Sequence, residues 1–264
     1  MVKTNVDVVV DTFKEFLKGK CKDFSATPKI ALISGTEENS LKHINAIIDT
    51  LKATGLEYTN RTFSDNATEE VVNYIKELNS DDSIHGIYVE GSSFKESRGE
   101  IVNGIHSVKD IGANSLFIKS VFFTQGSNLS PKLWAIKTFL ETNGYYVYSP
   151  FNCAVVGMED ECNEIVQYFA SKNATTMLLR PHTVDLQDFA QKAHIVVLND
   201  VSLIPSNLFK EDAVIINTSE LNTSLEPLSG SLYLDYENYL KLFYLGIAWN
   251  LLVSYTTLTR EGVD

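Results

Sequence analysis

Apolar positions along this chain alternate between two spacings, and the alternation predicts the secondary structure. Val9, Phe13 and Phe16/Leu17 fall at helical intervals within Val6–Leu17, predicting an amphipathic first helix. Lys29–Ser34 (KIALIS) is a short apolar run closed by Gly35, the pattern of a strand ending in a turn. Ser40–Thr54 then places Leu41, Ile44, Ile48 and Leu51 on one helical face, with Gly55 as the stop signal. A second strand is predicted over Tyr58–Phe63. A helix over Thr68–Leu78, capped by Asn66 or Thr68, and a third strand over Ile84–Val89 follow. Glu90–Asn114 reads as a loop region. Ser130–Thr142 reads as a long helix with Pro131 in its first turn, bridging two domains. A second series begins with a strand at Asn152–Gly157, a helix at Asp160–Ser171 and a strand at Thr175–Leu179. It continues with a helix at Val184–Lys192 and strands at His194–Leu198 and Ala213–Asn217, before an aromatic-rich last helix from about Tyr236 to Tyr255.

Strands alternating with helices on this scale imply parallel sheets with crossover helices, and ligand clefts at the carboxyl ends of the strands. At 264 residues with 44% hydrophobic and 21% charged content, the chain suffices for one large α/β unit or two ordinary domains. The balance of 22 Lys+Arg against 34 Asp+Glu, net −12, repels phosphate backbones and anionic lipid, so neither nucleic acid nor a membrane surface is an expected partner. The same acidity disfavours any anionic ligand without a local basic pocket. Cys21, Cys153 and Cys162 form no CxxC pair, and their odd number fits a reducing compartment, cytoplasmic or organelle matrix. Met1–Lys20 lacks the apolar core of a signal peptide, and Leu240–Tyr255, carrying Lys241 and Asn250, reads as a packed helix with no membrane insertion.

Candidate chemistry is sparse. His43, His85, His106, His182 and His194 include no i, i+4 pair and no cysteine-linked ligand pattern, so no metal site is expected. His85 and His194 lie at strand starts and read as structural. Gly91-Ser92-Ser93 lacks the GxSxG pattern of a nucleophile elbow and reads as loop serines. Tyr145, Tyr146 and Tyr148, with Tyr233, Tyr236, Tyr239, Phe243 and Tyr244, are either a stacking surface or, at this spacing, core and interface residues.

Four strings in chain order resemble the methylenetetrahydrofolate dehydrogenase/cyclohydrolase (FolD) family. PKIALISG (Pro28–Gly35) is similar to its first strand and LNSDDSIHGIYV (Leu78–Val89) to its LNxDxxVDGILV; Lys109-Asp110 falls at its KDVDG, and KEDAVIIN (Lys210–Asn217) at its KxGAVVIDVG. The likeness is strongest before residue 115. It implies an α/β fold of two parallel-sheet domains flanking a cleft: a folate-type catalytic domain, 1–127 plus 236–264, and a Rossmann-like domain, 128–235, with the C-terminal helix returning to the first. It also implies one-carbon chemistry, in which NAD(P)-dependent oxidation of 5,10-methylenetetrahydrofolate precedes hydrolysis of the methenyl product.

Against that pattern most reactive positions differ. In the family's SxxYxxxK motif, which supplies a tyrosine near the folate and a proton-transferring lysine, Ser40 is kept but His43 and Ile47 replace the tyrosine and lysine. An aliphatic side chain exchanges no proton, so the hydrolytic step is expected to fail. Glu90, Gly91, Ser92, Ser93 and Phe94 stand at QLPLP, and Gly112 at the second aspartate of KDVDG. The phosphate turn GRSxxVGxP reads Gly157, Met158, Glu159, Asp160, Glu161, Cys162, Asn163, Glu164, Ile165. Those acidic residues suit a helix start and oppose a pyrophosphate. HSRT reads Arg180, Pro181, His182, Thr183, and the glycine-rich loop before the last helix reads SLYLDYENY at Ser231–Tyr239.

The resemblance and its departures together lead to the expectation of a catalytically degenerate FolD-like protein. Its role would be structural or binding, as a homo-oligomer or a subunit of an assembly, with no cofactor. Ser40, His43, Lys109 and Asp110 would line the substrate cleft, and Gly157, Arg180 and Thr183 would be the residual cofactor contacts. Two alternatives stand: an NAD-linked dehydrogenase without cyclohydrolase activity, using Lys109, Asp110, His43 and Thr183, and a folate or nucleotide sensor.

Overall fold

The structure is a computed structural model that describes residues 5–125, 129–146, 151–158, 161–180, 182–199, 209–220 and 231–260, without the side chains of 121–125 and 161. The chain divides into two compact units, one of Val10–Lys132 with Phe243–Asp264, the other of Met1–Val9 with Leu133–Leu242.

The first of these carries a three-stranded parallel sheet. Its centre is β1 (Lys29–Ser34), flanked by β2 (Glu57–Thr62) and β3 (Gly86–Val89), with Ile30 level with both Tyr58 and Gly86. Five of the six residues of β1 are buried, because helices cover both faces of a parallel sheet. The helices are α1 (Val6–Cys21, less its first four residues), α2 (Glu38–Thr54), α3 (Thr68–Ser80), α4 (Arg98–Asn103) and α5 (Leu116–Gln125). On α2 the buried stripe is Ser40, Ile44, Ile47, Ile48 and Leu51; Leu41, expected on that face, is 37% exposed, and Ile47 takes its share of the core. Gly55 ends α2 in the left-handed conformation (φ 76°), its N–H reaching the Leu51 and Lys52 carbonyls.

Two expectations fail here. No side chain caps α3: Ala67 occupies the cap position, leaving Glu69 and Glu70 in the first turn to offset the helix dipole. The segment read as a loop from Glu90 to Asn114 contains α4 and a 3-10 turn at Ser107–Lys109, and the six-residue α4 is too short to reveal a period.

The second unit holds five parallel strands in the order β5-β4-β6-β7-β8: β4 (Asn152–Val156), β5 (Thr175–Leu179), β6 (Ile195–Leu198), β7 (Val214–Asn217) and β8 (Leu232–Leu234). Strand order reverses between β4 and β6, the topological switch point of a doubly wound sheet. Here lie α6 (Pro131–Thr142, less its first two residues), α7 (Glu161–Ser171) and α8 (Leu186–Ala190). α8 is shorter than predicted because Asp185 adopts left-handed backbone and Val184 is exposed. The three-residue β8 falls in the stretch compared with the glycine-rich loop, pairing Leu232 with Val214; it is too short to announce itself by pattern.

Both sheets begin their third strand identically. His85 Nδ1 accepts the Lys29 N–H at 3.1 Å while the His85 N–H donates to the Lys29 carbonyl at 2.8 Å. His194 and Asn152 repeat the pair at the same distances.

The last helix, α9 (Tyr236–Thr259), passes from the second unit into the first. Its length and apolarity would allow a membrane crossing, but 56% of its most apolar window is buried within the protein, the signature of a core helix. Tyr239, Tyr244 and Tyr255 are buried, so this aromatic run is mainly packing. Tyr146 is exposed, and Tyr148 lies outside the described residues.

Candidate functional site

At the carboxyl end of β3 the chain turns sharply through Glu90, Ser92 and Ser93. The Glu90 side chain is 2% exposed. Its Oε2 accepts the Ser92 N–H (3.0 Å) and hydroxyl (2.9 Å) and the Ser93 N–H (3.1 Å) and hydroxyl (2.9 Å). Its Oε1 lies 3.3 Å from His43 Nδ1 on α2. Burial alone would push this carboxyl up; hydrogen bonds from His43, Ser92, Ser93 and Ser40 outweigh it and hold the group at about 2. Ser40, one turn before His43 on α2, joins the network through Ser92 Oγ (2.9 Å) and Ser93 Oγ (3.3 Å), and Ser93 Oγ also accepts the Gly35 N–H at 2.7 Å. Arg98 turns its guanidinium onto the carbonyls of Glu90 and Val89. The His43 ring is 35% exposed and meets the buried Tyr244 edge-on at 6.4 Å. Ile47, the next turn of α2, is 1% exposed.

Lys109 and Asp110 do not join this cluster. Lys109 Nζ donates to the carbonyls of Leu78 (3.0 Å), Asn79 (3.0 Å) and Asp81 (2.9 Å), closing the end of α3. Burial lowers its pKa, with Asp81 and Asp82 opposing. Asp110 lies beside Ile87 of β3 and accepts the Ser115 N–H at 2.9 Å; burial pushes its carboxyl up. It lines a pocket with Ser107, Phe117, Asn250 and Thr257. A side chain at Gly112 would meet Asn114 Nδ2 at 2.5 Å, so that amide would have to move.

In the other unit, the three residues expected on the cofactor side do gather. Arg180 Nη1 donates to the Gly157 carbonyl at 2.9 Å, and Thr183 Oγ1 accepts the Arg180 N–H at 2.8 Å. Gly157 has no room for a Cβ, which would collide with the Asn199 carbonyl and lie 2.6 Å from Cys162 Sγ. Glu159, Asp160 and Pro181 lie outside the described residues. Among the described residues, no group of three or more His, Cys, Asp or Glu is placed to hold a metal.

Residues 5–112 match the family described as tetrahydrofolate dehydrogenase/cyclohydrolase, catalytic domain. The bifunctional protein FolD of Staphylococcus aureus (strain JH9) is 26% identical over 215 residues, 78% of this chain and 75% of the relative. The chain is thus similar to the FolD family, at low identity over most of its length. Solved structures carry the same fold: FolD of Trypanosoma brucei, complexed with NADP cofactor and inhibitor, superposes with a TM-score of 0.87 at 15% identity, covering 98% of both chains. FolD of Campylobacter jejuni gives 0.84 at 16%, covering 96% of this chain and 98% of that one.

Of the four residues expected in the substrate cleft, Ser40 and His43 meet at the Glu90 turn while Lys109 and Asp110 stand apart, and Ile47 is a core residue of α2. The residue that sequence reasoning undervalued is Glu90. In the sequence it is one departure from QLPLP among several, whereas in the structure it is the hub of five hydrogen bonds, one of them with His43. The available signal was an acidic residue followed closely by two serines at a strand end, where free N–H groups gather.

Proposed function

We propose that this chain is a FolD homologue that has given up the cyclohydrolase step and serves in a binding or structural role. The observation that carries the reading is Ile47. It stands where the FolD motif has its proton-transferring lysine and is buried as a core residue. The nearby acid, Glu90, is ionised and fully engaged, so it offers no proton near neutral pH.

The dinucleotide side supports the same reading. Arg180 is directed at the Gly157 carbonyl, and Cys162 and Asn199 crowd Gly157. The sequence between Gly157 and Ile165 carries Glu159, Asp160, Glu161 and Glu164. This set does not fit a pyrophosphate, which needs close backbone approach and a helix start free of anions. The dehydrogenase alternative draws only on the meeting of Gly157, Arg180 and Thr183; Lys109, which it would use, is committed to three carbonyls. Self-association or membership of an assembly belongs to the proposal, with exposed Leu116 and Phe117 as apolar surface to test.

The test is calorimetric titration with NAD+, NADP+ and 5,10-methylenetetrahydrofolate, alongside absorbance assays of oxidation and of methenyl hydrolysis. Both rates are expected to equal the protein-free control. Micromolar cofactor binding with oxidation would restore the dehydrogenase.

A further inference from the structure

Away from the Glu90 turn, the first unit holds a cavity of about 360 Å³ where the end of α1 meets the later turns of α9. Phe16, Phe24, Trp249 and Leu252 supply its apolar walls, and Lys20 and Asp23 its charges. Its place in the fold follows from Tyr255, against which Phe24 packs with ring centroids 4.7 Å apart. The Tyr255 hydroxyl accepts the Ala26 N–H at 3.2 Å, and its ring meets His85 edge-on at 4.8 Å. Ala26 comes just before β1 and His85 just before β3, so the cavity lies toward the amino ends of the strands. The Glu90 turn is at the carboxyl end, and none of its residues lines this cavity.

The aromatic surface here exceeds what packing requires. Leu17 is fully buried and anchors α1, whereas its neighbour Phe16 is 44% exposed and Trp249 is half-buried, their rings 6.2 Å apart and tilted by 32°. Large rings left open beside one another around a concave site offer a ligand both area and edge-to-face contacts. The volume lies at the lower end of the roughly 300–1,000 Å³ of small-molecule sites, which suits a ligand of one or two rings. Charge narrows the class further. Lys18 pairs with Glu15 at 2.8 Å, but Lys20 and Asp23, both exposed, make no ion pair with each other or with any other of the described residues. A purely anionic ligand would gain Lys20 and be opposed by Asp23, and a purely cationic one the reverse; a ligand carrying both charges satisfies both. The geometry points to this cavity as a binding site for a small aromatic ammonium-carboxylate, the chemistry of an aromatic α-amino acid. Its ring would lie against Phe16, Phe24 and Trp249, with the carboxylate toward Lys20 and the ammonium toward Asp23.

The test uses the full-length protein labelled with 15N-tryptophan, whose two tryptophans, Trp134 and Trp249, each give an indole N–H resonance. Trp134, buried on α6 and not part of the cavity, is the internal control. Millimolar L-phenylalanine should shift the Trp249 resonance saturably and leave Trp134 in place. Phenethylamine lacks the carboxylate and 3-phenylpropionate the ammonium, so each should bind about threefold more weakly, the worth of one exposed ion pair. Lys20→Ala should erase the advantage of phenylalanine over phenethylamine, and Phe16→Ala should weaken all three compounds by about fivefold. No shift at Trp249, equal shifts at both tryptophans, or equal affinity for the three compounds would overturn the inference. So would a face that answers to none of them but self-associates as protein concentration rises and stops doing so in Phe16→Ala, because its occupant would then be a second copy of the chain. The ranking of the three compounds is read on the unmutated protein, so the test survives a variant that fails to fold. Turnover of a methylene- or methenyl-folate would sink the proposed function and leave this site untouched.

Discussion

His85 and Lys29 exchange two hydrogen bonds, ring nitrogen to backbone N–H at 3.1 Å and backbone N–H to carbonyl at 2.8 Å, tying the start of β3 to the start of β1. The Nδ1 acceptor exists only while the ring is unprotonated at that atom. Burial lowers the pKa of His85, with the Lys109 charge adding and Asp81 opposing. The unfolded chain therefore takes up the proton first. Stability from this group is present above about pH 6.5, the ordinary histidine value, and declines as pH falls through the folded-state value. Urea melts at pH 7.5 and pH 5.5 should show a larger loss for the natural protein than for His85→Gln. Equal losses would mean the ring does not titrate this way.

Glu90 acts further down the pH scale. Its folded pKa of about 2 lies below the unfolded carboxyl value, so its contribution is full above about pH 4.3 and disappears as pH falls toward 2. Replacing it with glutamine turns an amide N–H2 toward serine donors, costing about 2–3 kcal/mol near neutrality. Denaturant unfolding at pH 6 and pH 3 should show Glu90→Gln destabilised at the first and closer to the natural protein at the second.

Ile47→Ala removes a buried aliphatic group and should cost about 2–4 kcal/mol by circular-dichroism melts. On the proposed function, Ile47→Lys should not confer methenyl hydrolysis. It buries an ammonium at a core position and should lower the melting temperature below that of the alanine variant.

Gly157 and Gly91 form a matched comparison. A Cβ at Gly157 strikes the Asn199 carbonyl and Cys162, whereas one at Gly91 meets nothing within 4 Å. Gly157→Ala should lose about 1–3 kcal/mol and Gly91→Ala should stay within about 0.5 kcal/mol of the natural protein in parallel melts.

Much of this was legible along the chain because the core repeats its signals. β1 and β5 fall at their predicted bounds, and Gly55 stops α2 as its position foretold. What escaped was either short or non-local. α4 and β8 are six and three residues long, too brief for a period to emerge. The His43–Glu90 contact joins residues 47 apart in sequence, and only the meeting of α2 with the end of β3 creates it. Lys109 is readable as the lysine of a string that resembles KDVDG but not as the closure of a helix thirty residues earlier.

That closure makes Lys109 a lysine in name more than in chemistry. All three of its ammonium hydrogens face carbonyl oxygens, and the side chain is nearly inaccessible. It resembles a permanently bound monovalent cation tethered to the backbone. Reagents that acetylate or methylate surface amines should therefore pass it by in the folded protein and reach it only when α3 loosens, making its modification a chemical clock for the opening of this unit.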